Sequence, residues 1–250
     1  MTSQPRDSTT IGGWLSRKRE LIALLRQDHY RRDLITLFVA NMKALAGWKF
    51  VLTLLLLAGA GACLVFAFGG TTAMAYELLQ VVFGVAAIGA GASLYGAERE
   101  AGTFELLWLA TGSERVLLRL KIVTMMIAMG ALLVPTVIIA SKLTTAPLPV
   151  ARTVVFLLIN TYLILAVMTL VSTYLPQSWA GGFVGAAFLA AVYLSLRGST
   201  VAISPFRNPF NEAPGGQEGG AAAAIANRVF VVGVALFLVD AAARRLRKSL

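Results

Sequence analysis

The sequence predicts an all-α protein that crosses a membrane six times, and three observations carry that prediction. Of its 250 residues, 58% are hydrophobic and only 14% are charged, a balance foreign to ordinary soluble domains. Uncharged runs of about 20 residues, the length a helix needs to cross a bilayer, recur along the chain. The Lys and Arg residues gather at the ends of those runs, where they anchor a topology. The net charge of +10 therefore calls for no nucleic-acid partner.

Taken in order, Met1 to Gly13 is polar, contains Pro5 and lacks any apolar period, so residues 1–13 are expected to form a disordered leader. From Trp14 the pattern changes. Leu15, Leu21, Ile22 and Leu25 share one helical sector with Trp14, while Arg17, Arg19, Arg26 and Arg31 mostly occupy the rest. Leu34, Phe38, Met42 and Leu45 continue the stripe to Trp48-Lys49, an aromatic and basic pair suited to the headgroup level. Residues 14–49 are thus expected to be an amphipathic helix lying along the cytoplasmic face. With no early apolar core in residues 1–48, a cleavable signal peptide is not expected.

Residues 50–243 hold the six expected spans. The first is Val51 to Phe68, followed by a turn at Gly69-Gly70-Thr71-Thr72, and the second is Leu78 to Ala97. The third is Ile122 to Ser141, with Pro135 inside it, and Lys142 to Arg152 is read as a loop. Thr153 to Leu196 is too long for one crossing and breaks at Tyr174-Leu175-Pro176-Gln177-Ser178, giving the fourth and fifth spans. Residues 197–220 carry Pro205, Pro209 and Pro214 and form an outer loop, with a short aromatic-bearing helix expected from Phe206 to Phe210. The last span is Ala221 to Ala243, in which Arg228 and Asp240 must reach opposite interfaces or face protein. Residues 244–250 make a basic tail.

This layout fixes an orientation. Of the 22 Lys and Arg, 17 fall on the side of both termini (nine up to Lys49, four from Arg99 to Lys121, four from Arg244 onward) and five on the other. Positive charge favours the cytoplasmic side, so both termini and the 98–121 loop are expected there, with the protein in the inner (plasma) membrane.

That loop opens with the densest charge inside the hydrophobic body: Glu98-Arg99-Glu100-Ala101-Gly102-Thr103-Phe104-Glu105-Leu106-Leu107. Successive helical residues rotate by about 100°, which puts Glu98, Gly102 and Glu105 on one stripe and Phe104, Leu107 and Trp108 on apolar faces. A short amphipathic surface helix is expected, ended by Gly112 and followed by Ser113 and Glu114 as N-cap and first turn of the next span. The run Glu98-x-Glu100-x-Gly102-Thr103-x-Glu105-x-Leu107, with Lys121 at the start of the following span, resembles the cytoplasmic coupling loop of ABC type-2 permeases, the membrane subunits of ATP-driven exporters. This chain departs from the family's frequent proline after the Leu-Leu pair, reading Ala110-Thr111-Gly112-Ser113 instead.

The resemblance implies a permease dimer working with a separate ABC ATP-binding subunit, which Glu98, Arg99, Glu100, Gly102, Thr103, Glu105 and Leu107 would contact. It also implies an outer loop that partly re-enters the membrane, and an interfacial helix near the ATPase. The residues themselves are consistent with a chain that is not an enzyme. No Gly-x-x-x-x-Gly-Lys-Ser/Thr loop is present to hold nucleotide phosphates, so ATP and Mg are expected in the partner and no cofactor here. No expected span carries a charge near its centre, where it would cost about 2.5–3.5 kcal/mol, which disfavours an ion-coupled carrier.

Ser93 sits among glycines in a span, but His29, the sole histidine, is in the leader and cannot act as its base. Asp28, His29 and Asp33 lack further donors for a metal, and Cys63, the only cysteine, excludes an intrachain disulfide. Gly84, Gly89, Gly91 and the Gly181-x-x-x-Gly185 pair predict close helix approach, within one copy or between two. Candidate pathway residues are the scattered polar points Asn160, Thr161, Tyr162, Thr169 and Ser172. The alternative function is a non-transporting membrane scaffold or assembly factor that recruits a cytoplasmic partner through the basic leader and the Glu98 loop.

Overall fold

The computed structural model describes residue 36 and residues 48–68, 70–100, 113–144, 148–175, 177–196, 204–206, 208–210 and 219–249. Among these residues the protein is all-helical, with six long helices: α1 (Trp48–Phe68), α2 (Thr72–Glu100), α3 (Glu114–Leu143), α4 (Val150–Tyr174), α5 (Ser178–Leu196) and α6 (Gly219–Ser249). Four stretches, Thr72–Leu94, Glu114–Leu143, Val150–Tyr174 and Ala223–Arg247, are long and apolar enough to cross a membrane. Val81, Val85, Ile138, Phe183 and Phe237 stand on the outside of the bundle. A helix apolar on both its packed and its outer face fits a lipid environment, and the protein is membrane-embedded in character.

The bundle is built around α4, which packs on α2, α3, α5 and α6; α1 lies outside, against α2 and α3. Leu157, Leu165 and Met168 of α4 are fully buried, together with Tyr76 and Leu79 of α2 and Met125, Met129 and Leu133 of α3. Contacts fix the relative directions. Tyr76 meets Asn160 while Gly91 meets Met168, so α2 and α4 run the same way. Asn160 meets Arg228 and Tyr174 lies under Arg245, so α6 joins them. The α5 helix runs oppositely, because Gly181 faces Ser172 and Gly185 faces Met168. Likewise, α3 enters where α6 leaves, since Glu114 faces Arg247 and Arg115 faces Asp240.

Several element boundaries differ from the sequence expectations. The α2 helix begins at Thr72, before Leu78, because Thr71 Oγ1 accepts the Met74 N–H at 3.2 Å and caps it. Its far end runs unbroken through Glu98 to Glu100. Ser113 is the expected N-cap of α3, in extended backbone, although its side chain does not make the capping bond. Lys142 and Arg152, read as loop, are both helical: α3 continues to Leu143 and α4 starts at Val150 behind Pro149. Charge was the misleading signal there, since a long basic side chain on a terminal turn reaches past the helix end. The helix expected from Phe206 to Phe210 is instead a pair of turns at 205–206 and 209–210. Two prolines lack the N–H a helix needs, and Asn208 Oδ1 accepts the Phe210 N–H at 2.9 Å, as in an Asx-turn. The basic run from Arg244 to Lys248 continues α6 to Ser249.

The leader 1–13, residues 14–49 apart from Thr36, Trp48 and Lys49, the triad Asp28, His29 and Asp33, and residues 101–112 lie outside the described residues.

Candidate functional site

Polar chemistry collects at the two ends of the bundle. At the end where α2 and α4 begin, the centre is Arg228 on the third turn of α6, only 5% exposed. A buried guanidinium is tolerated only with acceptors placed around its fixed fork of donors. Arg228 Nη1 donates to Asn160 Oδ1 and, at 3.0 Å, to the Pro205 carbonyl; Phe156 covers the guanidinium face at 4.4 Å. Asn160 Nδ2 donates in turn to the Tyr76 hydroxyl at 3.1 Å, so one amide joins α2, α4 and α6.

The same knot holds the segment 204–210 against the helix ends. Asn227 Nδ2 donates to the Ser204 carbonyl at 3.0 Å, and Asn208 Nδ2 to the Ala73 carbonyl at 2.8 Å and to Glu77 Oε1 at 3.2 Å. Arg152 Nη2 reaches the Pro209 carbonyl at 3.2 Å, with its guanidinium over the rings of Phe156 and Phe210. Phe210 packs edge-on to Tyr76 and Phe206 edge-on to Tyr193. Side chains from α2, α4, α5 and α6 therefore converge on residues 204–206 and 208–210, which form turns and not a helix. In an apolar surrounding, the bonds to the Ser204, Ala73 and Pro209 carbonyls satisfy backbone groups that would otherwise be costly to bury.

At the opposite end, Arg115 Nε pairs with Asp240 Oδ1 at 2.9 Å, Arg244 Nη2 with Asp240 Oδ2 at 3.2 Å, and Arg247 lies 3.8 Å from Glu114. Beneath them Leu117, Leu118, Ala242, Ala243 and Leu246 form a small apolar cluster separate from the main core. Lys121 is buried and donates from Nζ to the Leu94 carbonyl at 3.0 Å, which ties α3 to α2 one turn before Glu98.

Of the residues singled out in the sequence, Glu98, Arg99 and Glu100 lie on the last turn of α2, while Gly102, Thr103, Glu105 and Leu107 fall outside the described residues. Asn160, Thr161, Thr169 and Ser172 are all buried on α4. They do not converge, since 12 residues of helix separate Asn160 from Ser172 by about 18 Å. Thr169 Oγ1 donates to the Leu165 carbonyl of its own helix at 2.7 Å. Ser172 Oγ, at the α5 contact, has no hydrogen-bond partner among the described residues. Ser93 Oγ likewise donates within its own helix, to Ala90, at 2.8 Å.

The glycines Gly91, Gly181 and Gly185 serve packing inside one copy, where α2 and α5 close on Met168 and Ser172 of α4; Gly89 faces open space. Sequence reasoning did not anticipate that Tyr76 would join Asn160 beside Arg228, nor that Arg152 and Asn208 would tie residues 208–210 to the helix ends. The available signal was the adjacent polar pair Asn227-Arg228 inside an apolar run, which demands buried acceptors somewhere in the fold.

No protein-family model, curated protein or solved structure matches this chain.

Proposed function

We propose that this chain is the membrane permease subunit of an ATP-driven exporter of the ABC type-2 kind. It works as a dimer with two copies of a separate ATP-binding subunit. On this reading α1 to α6 are six spans in the inner (plasma) membrane, with both termini cytoplasmic. ATP and Mg belong to the partner, and this chain supplies the pathway and the coupling surface.

The observation that carries the reading is the continuity of α2. The helix runs from Thr72, beside the polar knot, without interruption into Glu98 and Glu100 of the charged island. Its 29 residues reach about 43 Å at 1.5 Å per residue. A push on the island is therefore delivered to Tyr76 and to the Ala73 carbonyl that holds Asn208. Lys121 makes α3 follow the same movement through its bond to Leu94. Packed helices shift as rigid bodies between discrete arrangements, so this geometry can convert a partner's motion into release of the 204–210 segment. The positive-inside count and the matched Glu98 to Leu107 pattern support the same orientation and role.

Gentle purification from the native membrane, followed by assay for ATP hydrolysis and transport, tests the proposal. An accompanying ATPase is expected, and Glu98→Lys or Glu105→Lys should leave membrane insertion intact while lowering transport per ATP hydrolysed at least tenfold. Unchanged coupling in both variants would remove that stripe from the mechanism. A solitary chain, from a preparation that keeps known membrane complexes together, favours the scaffold function instead.

A further inference from the structure

We infer that the outer surface where the start of α3 meets the end of α6 is a binding site for one anionic phospholipid, with its phosphate at Arg115, Arg119 and Arg244. The inference rests on the membrane-embedded character of the bundle and is independent of the exporter reading. Along α3, positions Arg115, Arg119, Val123 and Ile127 succeed one another at four-residue spacing, which places them on one slowly turning stripe. All four are exposed. Along α6, Phe230, Phe237 and Arg244 repeat at seven-residue spacing, again all exposed. Each helix thus presents guanidinium at one end of an outward stripe and hydrocarbon along the rest.

The two helices pack antiparallel with their arginines at the same end, because Arg115 and Arg244 share the two oxygens of Asp240. The polar and apolar halves of both stripes are therefore in register, in the order of a phospholipid's headgroup and acyl chains. Arg244 also lies 5.9 Å over the Phe237 ring, at the boundary between the two halves.

Charge favours an anion. Four arginines, Arg115, Arg119, Arg244 and Arg247, stand against two carboxylates, Asp240 and Glu114. The side chain of Glu114 is 8% exposed and that of Asp240 27%, whereas Arg115, Arg244 and Arg247 are 46–65% exposed. The acids are thus withdrawn behind the bases, and the outward face is a row of guanidinium groups. Such groups match phosphate geometry through paired N–H donors. Basic pockets between helices at the membrane surface recruit anionic headgroups in the same way, each base contributing about fivefold in affinity. A soluble anion would use the arginines alone and leave the apolar half of each stripe without a role.

The test is native mass spectrometry of the purified full-length chain, with any chains that accompany it, equilibrated with equimolar phosphatidylglycerol and phosphatidylcholine. The wild type is expected to retain phosphatidylglycerol at least tenfold over phosphatidylcholine. Arg119→Gln, an exposed change that disturbs no ion pair described above, is expected to lower that preference about fivefold, and the triple change Arg115→Gln, Arg119→Gln, Arg244→Gln to bring it near parity. Lys142→Gln, exposed at the far end of α3, should leave it unchanged. Equal retention of the two lipids by the wild type overturns the site, as does a wild-type preference in Arg119→Gln. Release of the bound lipid by equimolar glycerol 3-phosphate overturns the lipid in favour of a soluble anion.

Discussion

Asn160→Leu is expected to free the 204–210 segment. The amide is both acceptor for Arg228 and donor to Tyr76, and leucine has similar bulk with neither function. Arg228, which also holds the Pro205 carbonyl, loses an acceptor that water can replace only when the segment opens, and a lost bond to a charged buried group costs the closed arrangement about 2–3 kcal/mol. Since every 1.4 kcal/mol is a factor of ten in an equilibrium, the open population of the segment should rise from tens of times to about a hundredfold. A thiol reporter reads this directly. With Cys63→Ser removing the only, exposed, cysteine, a Ser204→Cys probe is buried in the closed arrangement, as Ser204 itself is. Its labelling rate should increase by that factor in the Asn160→Leu background. An unchanged rate would show that the other bonds, from Arg152, Asn208 and Asn227, hold the segment without the central amide.

The second large effect concerns Met168, which two helices enclose. A methyl group at Gly91 would lie 2.5 Å from Met168 Cβ and 3.1 Å from its Cγ, whereas one at Gly185 would meet the Met168 Sδ and Cε. The distinction matters because the thioether end can swing away and Cβ is fixed by the backbone. Gly91→Ala must therefore push α2 and α4 apart, at the upper end of the roughly 1–3 kcal/mol typical of overpacking. That outweighs the gain of about 1 kcal/mol that alanine brings to a helix interior. Gly185→Ala should cost less.

Met168→Ala separates the two cases. It removes Cγ, Sδ and Cε and should rescue Gly185→Ala, but it keeps Cβ, the atom nearest a Gly91 methyl, and should leave most of the Gly91→Ala destabilisation in place. Melting of the purified single and double variants measures both couplings. Equal rescue of the two glycine variants would contradict the geometry around Met168.

These two effects mark where the sequence could be read and where it could not. Six helices follow from local properties of the chain: the length of uncharged runs, the break at Tyr174 to Ser178 and the basic residues that flank the runs. The glycines Gly91 and Gly185 announced close approach, because an absent side chain in an apolar helix has few other uses. Their partner was not legible, since Met168 is one aliphatic-like residue among many on α4. The ends of helices were read poorly wherever charge was taken as the boundary, as at Glu77, Lys142 and Arg152. A long charged side chain can lie inside a terminal turn and still bond to a neighbouring segment.

The sequence by itself determined the all-helical class, the apolar runs, their order and the position of the charged island after α2. Each of these depends on interactions within about 20 consecutive residues, or on the transfer of one residue from water to hydrocarbon, and both are fixed by local composition. Only the tertiary structure decided that α4 is the central helix and that α2 carries through into Glu98. It alone brought Arg228, Asn160 and Tyr76 together from three helices, and set the arginines of α3 and α6 side by side. Those pairings join residues 68 to 152 positions apart. Their energy depends on distance and orientation after the helices have packed, which composition and periodicity do not encode.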